Sequence, residues 1–464
     1  MNPVPPEATS GERQRVLWLS TIAFTLMFAV WLMLGMLAIT IRQEFGLTEA
    51  QLYNLTLAAI LSGSLLRFNF GVWTDKYGGR RVLTLLLLIV VVPTALVSQV
   101  TNYHQLLALA MLYGLAGNSF SVGIAWTAAW YPKGKQGLAL GVFGAGNVGA
   151  SVTKLFGPML IALVPLSGFL GGAIPGGWRF IPCVYAVLLV GMAAAVWFLA
   201  PKYDRTPAKG KTFSEVVAPM KHLRVWEYSL HYVVVFGAYV ALSGLLPTYI
   251  MGNYGAEISG LLGLNDTLVK DFAAINAMKG EAFDSFLKAN PAVKADRLYL
   301  IQWIGFLTAV CYVFPASLLR PLGGWLSDRF GAKIVMAGVF VAMLASGLLL
   351  TLPLGLSAPV FIVCLFVLGA AMGIGKASVY KMIPETFPQG VGAVGGLVGL
   401  LGALGGVLVP LGAAPLVSAT KMPQMLFGTL LFLTVASSVW FVASLLAERR
   451  GKVAEERLAD AVAA

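Results

Sequence analysis

Ser64-Leu65-Leu66-Arg67-Phe68-Asn69-Phe70-Gly71-Val72-Trp73-Thr74-Asp75-Lys76-Tyr77-Gly78-Gly79-Arg80 places an arginine eight residues ahead of an aspartate, deep in an otherwise apolar run. The pattern returns 253 residues later, from Ser317 to Lys333, as SLLRPLGGWLSDRFGAK. Arg67 and Arg320 are each followed by a glycine four residues on (Gly71, Gly324) and an aspartate eight residues on (Asp75, Asp328). Seven of the seventeen positions are identical, so this is an internal repeat, and the two arginines are its least expected members. Such a pair would face each other across a pore and hold a small anion.

Of the 464 residues, 58% are hydrophobic and 11% charged, and mean hydropathy is +0.82. A soluble protein carries about 25% charged residues, so this chain belongs in a lipid bilayer. The net charge of +12 would suggest nucleic acid in a soluble protein. Here the basic residues sit in short loops, where the positive-inside bias accounts for them, and nucleic-acid binding is excluded. Cys183, Cys311 and Cys364 lie far apart in apolar runs, with no metal-ligand spacing. No metal or cofactor is expected. The first apolar run is too long for a signal-peptide core and reads as a membrane span.

A span needs about 20 apolar residues. Twelve candidates are expected, at about 16–41, 51–73, 82–100, 104–129, 137–163, 178–199, 225–250, 298–325, 334–353, 358–383, 390–417 and 423–446. The fold class is therefore an all-α membrane protein of twelve transmembrane helices in two pseudo-symmetric six-helix halves. The domains run as a cytoplasmic tail 1–15, an N-terminal half 16–200, a basic cytoplasmic linker 201–224, a C-terminal half 225–446 with an extracytoplasmic insertion 252–297, and a tail 447–464. Arg13, Arg15, Lys76, Arg80, Arg81, Lys133, Lys135, the six basic residues of the linker, Arg329, Lys333 and the tail residues Arg449 and Arg450 all fall on one side. Both termini are thus expected to be cytoplasmic, in a cytoplasmic (inner) membrane. The repeat falls on the second helix of each half, and two parallel halves with a midplane site between them form a recurrent transporter plan.

Gly71-x3-Asp75-Lys76-x-Gly78-Gly79-Arg80-Arg81, with its echo Gly324-x3-Asp328-Arg329-x-Gly331-Ala332-Lys333, resembles the loop 2–3 and loop 8–9 motif of the major facilitator superfamily. Within it the chain resembles the nitrate/nitrite porter family. The likeness rests on FAVW (Phe28 to Trp31), SLLR, GLAGNSF (Gly114 to Phe120), GLALGVFGAGNVGAS (Gly137 to Ser151), YVVVFG (Tyr232 to Gly237) and GALGGVLVP (Gly402 to Pro410). The resemblance implies a secondary transporter of nitrate or nitrite working by alternating access. It also implies that Arg67 and Arg320 ligate the anion while Phe28, Phe120, Tyr232 and Phe236 close the cavity around it. A major facilitator transporter of another small inorganic or organic anion is the alternative.

The arginines can also be argued from the residues alone. Eight residues at about 1.5 Å rise put each roughly 12 Å from its loop aspartate, well inside a hydrocarbon half-thickness of about 15 Å. A charge at that depth costs roughly 2.5–3.5 kcal/mol even on the lenient scale. No aspartate or glutamate occupies the interior of the helices concerned, so the counter-charge should be the substrate, to which a guanidinium can donate two parallel hydrogen bonds. The alternative is that each arginine bonds backbone carbonyls or snorkels to an interface. Asn147, in a run of five glycines from Gly137 to Gly149, is expected to donate a hydrogen bond near the substrate. Small residues there and in the run Gly390–Gly412 allow either rocking or tight static packing.

Lys154, Lys376 and His231 are the candidates for proton coupling, although His231 sits about 100° around its helix from Tyr232. Lys381 could simply snorkel. Asp75, Arg80, Arg81, Asp328 and Arg329 form the candidate latch that holds the outward-open state, the alternative being a charge cluster that only fixes topology. Proton symport usually needs a carboxylate near the site, and none is visible. Exchange of nitrate for nitrite needs only the arginines, because one anion must replace another before the halves close. The resemblance, through a proton-coupled subgroup of the family to which the helix 2 motif and Lys376 and Lys381 would assign the chain, leans slightly towards proton-coupled uptake. No catalytic residues are expected: His104, His222 and His231 are scattered singly with no acidic partner. The expected partners are nitrate, nitrite, protons and the bilayer, around a functional monomer.

Overall fold

The structure is a computed structural model that describes residues 8–149, 151, 160–161, 164–165, 168–169, 174–278 and 280–463. Among these, eleven helices are long and apolar enough to cross a membrane. In chain order they are α1 (Ser10–Trp31), α2 (Glu49–Leu65 and Arg67–Tyr77), α3 (Gly79–Leu96), α4 (Tyr103–Trp130), α6 (Phe180–Leu199), α7 (Leu223–Leu261), α8 (Pro291–Phe330), α9 (Ala332–Thr351), α10 (Ala358–Thr386), α11 (Val391–Thr420) and α12 (Met425–Ala463). Between α4 and α6, α5 is described over Lys133–Ala145 with a tighter turn at Gly146–Val148. Lys154 lies outside the described residues.

α7 and α8 run well past the expected ends at 250 and 298. Hydropathy marks where apolar side chains stop, whereas the helix continues through polar residues to Leu261 and resumes at Pro291, a proline at a first-turn position where its missing N–H costs nothing. Three short helices (Asp266–Lys270, Phe272–Ala277, Gly280–Ala289) bridge the two. The end bearing them is the insertion face, and the end bearing the 201–224 linker is the linker face.

One irregularity repeats between the halves. α2 breaks at Leu66 (φ −90°, ψ 0°) and α8 at Leu319 (φ −84°, ψ 2°). Each break directly precedes the repeat arginine, so Arg67 and Arg320 begin the second segment of their helices. α2 lies antiparallel against α11, and α8 against α5, each across the boundary between halves. The linker is anchored through Asp204, which accepts from the indole N–H of Trp126 (3.0 Å) and Trp130 (3.2 Å) and the backbone N–H of Arg80 and Arg205 (both 2.9 Å). Burial pushes the Asp204 carboxyl above its ordinary range, and these donors pull it part of the way back.

Candidate anion site and linker-face gate

The two repeat arginines meet at one ring. The guanidinium of Arg67 lies 5.5 Å from the Phe120 centroid and that of Arg320 lies 5.6 Å from it, with the residues only 1% and 2% exposed. Each arginine reaches into the opposite half. Arg67 donates to the carbonyl of Gly399 on α11 (2.9 Å) and of Gly63 (3.0 Å). Arg320 donates to the carbonyl of Gly144 on α5 (2.8 Å) and to the Tyr232 hydroxyl (2.9 Å). Among the described residues neither has a carboxylate partner. Carbonyl dipoles solvate the guanidinium groups without neutralising them, so two net positive charges remain at the centre.

Aromatic rings wall this centre. Phe120 faces Tyr232 at 6.3 Å and 15° and Phe236 at 6.4 Å and 3°, whereas Tyr232 and Phe236 stack more closely at 4.9 Å. A π-helical turn at Val233–Gly237 follows Tyr232 and carries Phe236; such single-turn bulges are frequent at functional sites. Phe28 stands one layer back, edge-on to Phe24 and Trp31. Trp31 itself touches the site, 5.0 Å from the Arg67 guanidinium. Its indole donates to the Ala59 carbonyl (2.8 Å) and lies where Cβ atoms on Gly63 or Gly117 would fall 2.4 and 2.7 Å away. Gly63 and, within GLAGNSF, Gly117 thereby make room for the ring that supports Arg67.

The glycine-rich helices do the same for the site. A Cβ on Gly144 would meet the Arg320 guanidinium at 2.9 Å, and one on Gly402 would meet the Tyr232 ring at 2.2 Å. Asn147 is buried, and neither its amide nitrogen nor its amide oxygen has a hydrogen-bond partner among the described residues. An orphaned amide of this kind costs about 1–3 kcal/mol, which a hydrogen-bonding ligand would relieve. Tyr380 on α10 closes another side, edge-on to Phe120 (5.1 Å) and Tyr232 (4.8 Å). Trp31, Phe24 and Tyr380 escaped sequence reasoning because a lone aromatic residue in an apolar run carries no mark distinguishing it from core packing.

His231 points elsewhere. Its ring bonds Ser437 (2.6 Å) and lies edge-on to Phe340 and Phe441. Contrary to the expectation of no acidic partner, it lies 3.5 Å from Glu227, one helical turn back on the same face. It faces α9 and α12, as the one-step helical rotation away from Tyr232 requires.

On the linker face, the repeat aspartates also cross between halves. Asp75 accepts from the backbone N–H of Gly392 (2.8 Å) and Ala393 (3.3 Å) at the start of α11. Asp328 accepts from Gly137 (2.9 Å) and Leu138 (2.8 Å) near the start of α5. A carboxylate at a helix N-terminus is favoured by the free N–H groups and the helix dipole. Each repeat helix therefore holds the opposite half twice, by a guanidinium on a carbonyl at depth and by a carboxylate on N–H groups at the end.

Among the described contacts, none of the three arginines expected in the latch reaches the opposite half. Arg80 lies over Trp197 (4.6 Å) and donates to the carbonyls of Pro201 and Lys202. Arg81 lines an exposed groove between α3 and α6, and Arg329 covers Trp325 and Phe330 (5.4 and 5.3 Å). The cation that meets the repeat aspartate on this face is Lys381 of α10, which lies 2.8 Å from Asp328 and 3.6 Å from Glu385 and donates to the carbonyl of Lys133.

The gate is asymmetric, because Asp75 has no ion-pair partner among the described residues. Asp328 and Lys381 belong to the same half, so their pair acts on this face by holding the Lys381 ammonium on the Lys133 carbonyl of the other half. Leaving that ammonium without its nearer carboxylate costs up to about 3–5 kcal/mol. Asp328→Asn should therefore open the linker face far more than Asp75→Asn. The reporter is a cysteine at Ala128, which is 5% exposed and lines a small cavity of about 60 Å³ beside Asp75 and Gln136, in a background without Cys183, Cys311 and Cys364. Its labelling by a membrane-impermeant thiol reagent should accelerate in Asp328→Asn and slow again when Lys381→Met is added. Equal rates for the two single variants would show that the Lys381 pair does not hold the gate.

A Major Facilitator Superfamily family profile matches residues 19–269 and 286–462. The chain is 48% identical over 463 residues to the probable nitrate/nitrite antiporter NarK1 of Thermus thermophilus, covering 96% of this chain and 94% of that protein. It is 25% identical over 428 residues to the nitrite extrusion protein of Bacillus subtilis, covering 92% and 93%. Among solved structures it is similar to the human organic anion transporter MFSD10 (TM-score 0.64, 15% identity, 94% of this chain and 100% of that one). It is likewise similar to FucP in the outward conformation (TM-score 0.62, 16% identity, 91% and 98%). The structural likeness, at such low identity, speaks for the fold alone. With a 48% identical relative matched along nearly its whole length and the superfamily profile spanning both halves, the chain belongs to the nitrate/nitrite porter family of the major facilitator superfamily.

Proposed function

We propose that this protein is a transporter, not an enzyme, that carries nitrate and nitrite across the cytoplasmic membrane by alternating access, as an exchanger. The observation that carries the reading is the pair Arg67 and Arg320, contributed by opposite halves, buried without a carboxylate and set against one phenyl ring. A monoanion between them supplies the missing charge, and the near-parallel Phe120, Tyr232 and Phe236 rings suit a flat oxyanion better than a tetrahedral one. Asn147 supplies a further donor, and Phe28 backs the aromatic wall. Asp75 and Asp328, with Lys381, hold the linker face shut, while Arg80, Arg81 and Arg329 shape its rim.

The basic loops support a cytoplasmic linker face and cytoplasmic termini, and one chain contains both halves of the site, so a monomer suffices on this reading. Exchange is preferred to proton symport because no described carboxylate faces the arginines and His231 points away from them.

Nitrate uptake into liposomes carrying the purified protein tests the reading. Internal nitrite should accelerate uptake at least tenfold over empty vesicles, and an imposed pH gradient alone should not drive accumulation. Accumulation driven by pH alone would replace exchange with symport. Failure of both conditions would refute nitrate as the substrate.

A further inference from the structure

Outside the anion site, two cations are opposite cases. Lys376 of α10 is buried, donates to the carbonyl of Ala316 (3.0 Å) and lies 3.1 Å from the centroid of the Tyr239 ring, so these contacts stay within its own half. Arg81 is exposed in the first turn of α3, and its guanidinium has neither a carboxylate nor a hydrogen-bond partner among the described residues. It stands at the mouth of the groove between α3 and α6, which encloses about 590 Å³.

Leu85, Leu88, Val190 and Phe198 are exposed walls of this groove, over a floor that includes buried Thr84 and Ala193. The Thr84 hydroxyl donates to the Arg80 carbonyl (2.8 Å), so below the mouth the channel presents no unmet polar group. From Arg81 to Leu88 it runs about 10 Å along α3, within a hydrocarbon half-thickness of about 15 Å. Trp197 marks the mouth as headgroup level, where tryptophan concentrates. Its ring lies under Arg80 (4.6 Å), and its indole N–H has no partner among the described residues. Asp204 holds the same end of α3 from the inner side, with Trp126 and Trp130 of α4, and does not line the groove.

The C-terminal half has a counterpart of about 590 Å³ between α9 and α12, and the two differ in charge. Ile334 stands 253 residues after Arg81, at the repeat position of the arginine. Lys333 beside it is paired with Glu448 (2.5 Å), which also holds Arg224 (2.7 Å). Arg449 lines that groove too, but next to the same carboxylate. No acidic residue lines the groove of Arg81.

An unpaired cation above an apolar channel fits an amphiphile with a negative head and a hydrocarbon tail, and basic pockets between transmembrane helices bind such headgroups. We infer that the α3–α6 groove binds one anionic phospholipid of the linker-face leaflet. Its phosphate meets Arg81 and the Trp197 indole, and one acyl chain follows Leu85, Leu88 and Val190. The α9–α12 groove takes lipid without regard to charge. The site lies within one half and does not depend on which anion the centre carries.

Native mass spectrometry of the purified protein in detergent, titrated with phosphatidylglycerol or with phosphatidylcholine of the same acyl chains, tests this. The first phosphatidylglycerol should bind at least about fivefold more tightly, the effect of one basic residue on an anionic headgroup. Arg81→Gln should bring that preference below about twofold, while Arg81→Lys and Lys333→Gln keep it. Ala194→Trp, at an exposed position that lines the groove, should block the phosphatidylglycerol with Arg81 intact. Glycerol phosphate, the head without its chains, should not displace the lipid. Equal affinities in the unaltered protein, or a preference that survives Arg81→Gln or disappears in Lys333→Gln, would overturn the assignment. Displacement by glycerol phosphate, or unchanged binding in Ala194→Trp, would overturn it as well, because the groove would then hold no acyl chain.

Discussion

Arg320→Lys should reduce nitrate transport at subsaturating substrate by about a hundredfold or more, with the protein still folded and monodisperse. The guanidinium does three things at once: it donates to the Gly144 carbonyl, donates to the Tyr232 hydroxyl, and lies over Phe120. A lysine keeps the charge but offers a single nitrogen, which cannot hold the α5 carbonyl and the tyrosine and still present a planar edge to an oxyanion. A hydrogen bond to a charged group is worth about 1.5–3 kcal/mol, and each 1.4 kcal/mol is about tenfold in affinity. Losing one such bond and the fork geometry therefore accounts for roughly two orders of magnitude. Arg67→Lys should behave similarly, since Arg67 also divides its donors between its own helix and the opposite half. Initial rates of labelled nitrate uptake against internal nitrite measure the effect. A lysine variant at either position retaining more than a third of the original rate would show that the arginine is a packing residue.

How far these residues were legible in the sequence follows from what makes a side chain conspicuous. Arg67 and Arg320 stand out because a charge in an apolar run has an energetic cost and occurs twice at one register. Asp75 and Asp328 stand out as part of the same repeat, although their targets, the starts of α11 and α5, depend on how the halves pack. The glycines of α5 and α11 were visible as a composition. Their individual tasks, clearing space for the Arg320 guanidinium and the Tyr232 ring, are properties of the assembled bundle.

Lys381 illustrates the opposite case. One helical turn from the end of an apolar segment, a lysine that snorkels and a lysine that pairs with a buried aspartate look the same in sequence. Only the approach of Asp328 and the Lys133 carbonyl separates them. Arg80 misleads for a similar reason. It sits in the motif beside the latch aspartate, yet its backbone partner Asp204 is 124 residues away in the linker. Helix lengths show a further limit. Hydropathy reports the thickness of the bilayer, so it cannot see where α7 and α8 continue beyond it.

The second large effect is expected at two glycines that touch no substrate. A Cβ on Gly71 would fall 1.9 Å from the Gly392 carbonyl oxygen, and one on Gly324 would fall 2.0 Å from that of Gly137. Nonbonded heavy atoms settle at about 3.5–4.0 Å, and both obstacles are backbone, so no side chain can rotate aside. A valine at either position must push α2 from α11, or α8 from α5, by more than an ångström. That displacement breaks the bonds of Asp75 to Gly392 and Ala393, or of Asp328 to Gly137 and Leu138. On the alternating-access reading the linker face opens by parting these crossings, so the variants should fold and remain trapped open. Exchange should fall at least tenfold in Gly71→Val and in Gly324→Val. A cysteine at Ala128 should label rapidly from the linker side in both, and the effect should persist with saturating external nitrate. Gly338→Val on α9, where a Cβ meets nothing within 4 Å, should leave transport and labelling unchanged. Slow labelling and normal exchange in Gly71→Val would mean that α2 and α11 never need to approach this closely, and that the gate is made by the carboxylates alone.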